Sequence, residues 1–215
     1  TLLTFDEVTT LFHEFGHALD GMFSEASYSA GHIAWDFIEL PSQIMEHWAI
    51  EPTVLKQYAR HHKTNKAIPT ELINKILATQ TFNQGFATTE YLAASYLDLK
   101  WHDQTVDDQI SASEIESKTT KDINLVPEIA PRYRSSYFQH IFSGGYSAGY
   151  YAYIWAEVLE TDAYEEFKKN GIFDKKTAQS FRSNILEKGG SEKPMTLYKN
   201  FVGREPNIEP LMKSR

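Results

Sequence analysis

Helix-start and helix-stop residues follow one another along the whole chain, and that punctuation confines it to a helical fold. Thr4 and Glu7 form a capping-box pair, after which apolar residues recur with the helical period at Val8, Leu11, Phe12, Phe15, Leu19 and Met22. Gly21 is a stop signal near the end of that run. Pro41 falls in the first turn of a second helix expected to run to about Ala49, and Pro52 and Pro69 open two more. Helices are also expected over residues 82–101 and 111–123, with a break at Pro127 and Pro131. Gly144-Gly145 reads as a flexible joint before a long aromatic helix ending near Lys169, and residues 174–186 and 193–201 complete the count before a short tail. Residues 25–34 read as a Ser-, Gly- and Ala-rich loop, and only residues 27–33 alternate in a way that admits a strand. The expected fold class is all-α.

The composition narrows the function classes. Of 215 residues, 41% are apolar and 23% charged, which places the chain among globular proteins. The 29 acidic residues outnumber the 21 basic ones, and a net charge of −8 repels phosphate backbones, so nucleic acid is excluded as a main partner. No run approaches the ~18 consecutive apolar residues of a membrane span. The absence of cysteine excludes disulfide scaffolds, thiolate metal sites and cysteine nucleophiles. The chain begins at Thr1 with a motif-bearing helix almost at once, as a piece of a longer chain would.

That first helix carries His13-Glu14-Phe15-Gly16-His17, the HExxH pattern. Histidines four apart lie about 40° from one another on a helix and can offer imidazole nitrogens to one ion. Glu14 lies beside them, placed to take a proton from an attacking water. At roughly 100° per residue the apolar stripe centres on Phe15, with His13 and His17 on the opposite side, facing either solvent or a cleft roofed by other elements. Zinc hydrolases use three protein ligands. Candidates for the third are Asp36, Glu39, Glu46 and His47 in the next helix, with Asp20 and His32 nearer in sequence. Glu39 and Glu46 are seven apart and share a helix face, so spacing alone leaves both open.

A second constellation is aromatic. Tyr146, Tyr150 and Tyr153 fall within an arc of about 60° on the expected helix, where phenol hydroxyls could donate to a developing oxyanion. Core packing is the commoner use of such a stripe. Gly144-Gly145 could serve as a hinge or simply as a helix-start turn, and Arg132 and Arg134 as carboxylate binders or salt-bridge partners. His47 and His102 read as packing residues or as supports for a site.

Several blocks together resemble one family. His13 to His17, then Asp36-Phe37-Ile38-Glu39-Leu40-Pro41-Ser42-Gln43 and Glu46-His47-Trp48, are similar to the M3 (thimet oligopeptidase) family of zinc metallopeptidases. The likeness continues through His140-Ile141-Phe142-Ser143-Gly144-Gly145-Tyr146 and Tyr150-Tyr151-Ala152-Tyr153-Ile154-Trp155 to Gly189-Gly190-Ser191 and Gly203-Arg204-Glu205-Pro206. Within the family it is most similar to the bacterial peptidyl-dipeptidase and oligopeptidase A branches. Two features depart from the family pattern: the loop between His17 and Glu39 is shorter, and Asp20 stands where relatives often carry His.

The resemblance implies that residues 1–215 form the C-terminal zinc-binding catalytic domain of a longer chain. It implies one Zn2+ held by His13, His17 and Glu39, with Glu14 as general base and Tyr153 assisting at the transition state. His140, Tyr146 and Tyr150 become the expected substrate contacts. The implied activity is release of C-terminal dipeptides from short peptides, or else internal cleavage of oligopeptides. The implied partners are peptide substrates and the N-terminal part of the same chain, in a monomeric cytoplasmic protein, with a periplasmic or exported one as the alternative.

Overall fold

A computed structural model describes residues 2–26, 33–105 and 110–215. His32 and all but Ile33 of the strand alternative at residues 27–33 lie outside the described residues. Among those described there are no strands, only an isolated bridge between Arg60 and Ala67, and the all-α expectation holds.

Helix α1 spans Phe5–Phe23, opened by the expected capping box: Thr4 Oγ1 accepts from the Glu7 amide, and the Glu7 carboxylate accepts from the Thr4 amide. Prolines in the first turn start α2 (Leu40–Ile50) and α3 (Pro52–Tyr58), and Pro69 directly precedes α4 (Thr70–Thr79). Next come α5 (Gln84–His102) and α6 (Ala112–Asp122), the latter opened by a second capping box from Ser111 to Glu114. A four-residue helix, α7 (Gln139–Phe142), precedes α8 (Ala152–Asn170). The Asp174 carboxylate caps α9 (Lys175–Asn184), α10 covers Pro194–Val202, and α11 covers Glu209–Ser214.

One expected helix is shorter than its sequence suggests. After Gly144-Gly145 the chain stays in turns until Ala152. Gly145 and Ala148 both adopt positive φ, +90° and +54°, which a right-handed helix cannot accommodate. The amides of Ala148 and Tyr150 bond instead to the two oxygens of Asp98, at 2.9 and 2.8 Å. Tyr146 and Tyr150 therefore precede the helix, and the wheel arc that grouped them with Tyr153 does not exist.

The chain divides into two compact units, Thr1–Phe82 with Ile154–Arg215, and Asn83–Tyr153. In the first, Leu40 and Ile44 of α2 pack with Leu159, Tyr164 and Phe167 of α8 and with Leu197 and Tyr198 of α10. Each fully buried side chain of this size stabilises the unit by about 1.5–3 kcal/mol. In the second, Ala94 and Leu97 of α5, Ile115 of α6, Phe138, Ile141 and Tyr150 form the core. Among the described residues no helix is long and apolar enough to cross a membrane.

Candidate metal centre

The centre is built where α1 and α2 meet backbone to backbone. A Cβ on Gly16 would lie 2.4 Å from the Pro41 carbonyl oxygen and 2.5 Å from the Ser42 Cα, so no other residue permits this approach. Gly16 is the one buried residue of α1. Half of the Phe15 stripe instead points outward: Leu11, Phe15 and Met22 are 57%, 54% and 65% exposed, while Val8, Phe12 and Leu19 are partly buried. Of the two orientations the sequence allowed for the histidines, the structure shows the one faced by another element.

Glu39 is the N-cap residue of α2 and is buried. Its Oε2 lies 3.2 Å from His13 Nε2 and 3.3 Å from His17 Nε2. The three residues form a group able to hold a metal ion, with one ligand atom from each lying within 4.8 Å of the others. The His13 and His17 rings meet edge to face, with centroids 5.0 Å apart. Ser42 Oγ is within hydrogen-bond distance of both the backbone oxygen and Oε2 of Glu39, at 2.9 and 2.8 Å. That turn between residues three apart fixes the carboxylate; its only sequence signal is a Ser at i+3 in a helix's first turn.

Two further carboxylates border the group. Glu46 Oε1 lies 2.6 Å from His13 Nδ1, so the spacing ambiguity resolves into two positions: Glu39 at the Nε2 side, Glu46 at the Nδ1 side. Burial disfavours a proton on His13, but the hydrogen bonds and charges of Glu39 and Glu46 outweigh it and push the imidazole up to about 10. Burial also pushes Asp20 up to about 6, against the pull of His17. Neither Asp20 nor Asp36 belongs to the ligand group. Glu14 is exposed on α1 beside the histidines. His47 packs away from the group: its Nε2 meets Glu160 at 2.6 Å and its ring stacks on Tyr164 at 4.1 Å.

In the second unit the tyrosines do gather, without a shared helix face. Tyr146 and Tyr153 stack at 5.0 Å, and the His140 ring lies 6.3 and 6.4 Å from them. All three are partly exposed. Tyr150, expected among the substrate contacts, is instead 2% exposed within the core. Burial pushes its phenol well above the ordinary range, and its carbonyl accepts from the Tyr91 hydroxyl, so the structure gives it a packing role. Asp98, with no exposed surface, also meets His102 Nδ1 at 2.8 Å, which makes His102 a support of this turn. Arg134 is paired with Glu116 at 2.5 Å.

A family model for peptidase family M3 matches residues 1–215. The dipeptidyl carboxypeptidase of Salmonella typhimurium is 44% identical over all of this chain, and the oligopeptidase A of the same organism is 41% identical over 98% of it. Saccharolysin of Saccharomyces cerevisiae is 34% identical over 99%. The chain spans about a third of the length of these relatives: 32% of each bacterial protein and 31% of saccharolysin.

Proposed function

The chain belongs to peptidase family M3, and from that premise we propose that it is the metal-bearing part of a zinc peptidase acting on short peptides. The observation that carries the reading is the donor set. Ligand atoms at about 2.0–2.2 Å from a tetrahedral ion stand roughly 3.3–3.5 Å apart. Glu39 Oε2 stands 3.2 and 3.3 Å from the two imidazole nitrogens. Two nitrogens and one oxygen, with no thiolate, suit zinc and leave a fourth position open.

When bound, zinc supplies a Lewis acid for the scissile carbonyl and lowers the pKa of a water toward about 7. The chain's own residues do the rest. Glu39, pinned by Ser42, and the two histidines, pinned by the α1–α2 contact, hold their donors without reorganisation. Glu14, exposed beside them, accepts the proton of the attacking water and passes it to the leaving amine. Tyr153 and Tyr146 offer phenol hydroxyls to the peptide, and His140 lies against both rings; this part of the reading rests on the family resemblance and on their clustering.

The first reading of specificity is removal of C-terminal dipeptides, as the name of the 44% identical relative says of that protein. The nearly equal likeness to oligopeptidase A favours internal cleavage as the second. One peptide offered with a free and with an amidated C-terminus separates them: continued cleavage of internal bonds in the amidated form overturns dipeptide release. Glu14→Gln should lower kcat by about 10²–10⁴-fold while bound zinc stays at one per chain. A chain that binds zinc but turns over no peptide would be a binding piece requiring the rest of a family-length protein. The cytoplasm is the proposed compartment, on the resemblance alone.

A further inference from the structure

His13 is held on both sides of its ring, and only one side faces the ligand group. Glu39 Oε2 lies at Nε2, and Glu46 Oε1 lies at Nδ1, closer, at 2.6 Å. We propose that Glu46 is a positioning residue: it accepts a hydrogen bond from His13 Nδ1–H, which leaves the Nε2 lone pair to the metal when the metal is bound. This inference rests on the zinc reading above.

A neutral imidazole carries one proton, and an ionised carboxylate can only accept. A carboxylate at Nδ1 therefore selects the tautomer with the proton on Nδ1 and the free pair on Nε2, and raises the basicity of that pair. Two acidic side chains whose charges act on Glu46 have partners of their own. Glu157 is paired with Arg215, and Glu160 with His47. Glu46 Oε1 meets His13 Nδ1 directly. Its backbone is fixed, because Leu40 and Ile44 of the same helix are completely buried. Glu39 and Glu46 stand two turns apart on α2, so one rigid helix carries both the ligand and the group that orients a second ligand. The two histidines are thus inequivalent, and His13 is the more strongly directed.

The test measures zinc affinity by chelator competition for the wild type, Glu46→Ala and Glu46→Gln, with the His13 ring followed by nitrogen–proton NMR in the zinc-loaded protein. Glu46→Ala should weaken zinc about 10–100-fold. Glu46→Gln, whose amide oxygen still accepts, should lose less. A slowly exchanging His13 Nδ1 proton should be seen in the wild type and in Glu46→Gln and be lost in Glu46→Ala. A role confined to packing α1 on α2 would move the affinity without that signature or that rescue. Wild-type affinity together with an unchanged Nδ1 proton in Glu46→Ala overturns the proposal and leaves the zinc reading intact. A wild type that holds no zinc, or a His13→Ala variant that holds it equally well, overturns the zinc reading and this inference with it. Should Glu46→Ala fail to fold, the Glu46→Gln comparison decides: an affinity equal to wild type with the Nδ1 proton absent overturns the proposal.

Discussion

The group of the first unit that could hold a metal and the tyrosine cluster of the second are held by opposite means. His13, His17 and Glu39 project from two regular helices whose separation is set by a missing side chain at Gly16. Tyr146 and Tyr153 are brought together by an irregular turn, tied at Ala148 and Tyr150 to one buried carboxylate, Asp98. A site made by helix packing inherits the precision of the helices. A site made by a tied turn depends on a few hydrogen bonds, each replaceable by water once it opens.

The sharpest test of that contrast removes hydroxyls and leaves the rings. Tyr153→Phe keeps the stack on Tyr146, so if the hydroxyl serves an oxyanion, kcat should fall about 10²–10³-fold with no change in melting temperature. An unchanged kcat would reduce the cluster to packing. Asp98→Ala should next destabilise the second unit, because the buried Tyr150 amide loses its acceptor at about 1–3 kcal/mol, while the exposed Ala148 amide can turn to His102 or water. Hydrogen exchange should show residues 146–151 opening while the α1–α2 pair stays protected. Gly16→Ala attacks the other side of the comparison. Its methyl must displace backbone, at a cost of about 1–3 kcal/mol, and zinc affinity should fall with stability because Glu39 moves with α2. Equal zinc affinity would show that the helix contact does not set the site.

The smallest effect is acid sensitivity, and each unit offers a buried carboxylate that tests it. Asp162 is buried, which favours its protonation, but hydrogen bonds from Arg204, Tyr198 and the Asn207 amide outweigh that and hold its carboxyl below the ordinary value. Glu116 is held low by Ser135 and Arg134 against the same burial. A carboxylate depressed in the folded state stabilises it fully above the unfolded value, about 4, and the stabilisation is lost as pH falls through the folded value. The melting-temperature gaps between wild type and Asp162→Asn, and between wild type and Glu116→Gln, should therefore narrow below pH 4.

What could be read in advance follows the same division. The Thr4–Glu7 capping box, the prolines opening α2 and α3, and the His13–His17 spacing are local patterns, and they appear where the sequence places them. The choice between Glu39 and Glu46 is not local, because it depends on how far α1 sinks onto α2. Only the family resemblance picked Glu39, and the structure groups it with His13 and His17 in a set that could hold a metal. The Phe15 stripe was legible as a stripe, but the outward turn of half of it was not, since the glycine beside it drew the opposite side of the helix inward. Asp98 gave no signal at all: an acid inside α5 says nothing of two amides some fifty residues away.

The glycine contact between α1 and α2 has a thermodynamic consequence. An ion that can be embraced only when both helices are seated favours the seated state, by an amount that grows with the logarithm of its concentration over Kd. Stripping the ion should then loosen the helix pair as well as silence any chemistry, so a chelator would behave toward this unit as a mild denaturant.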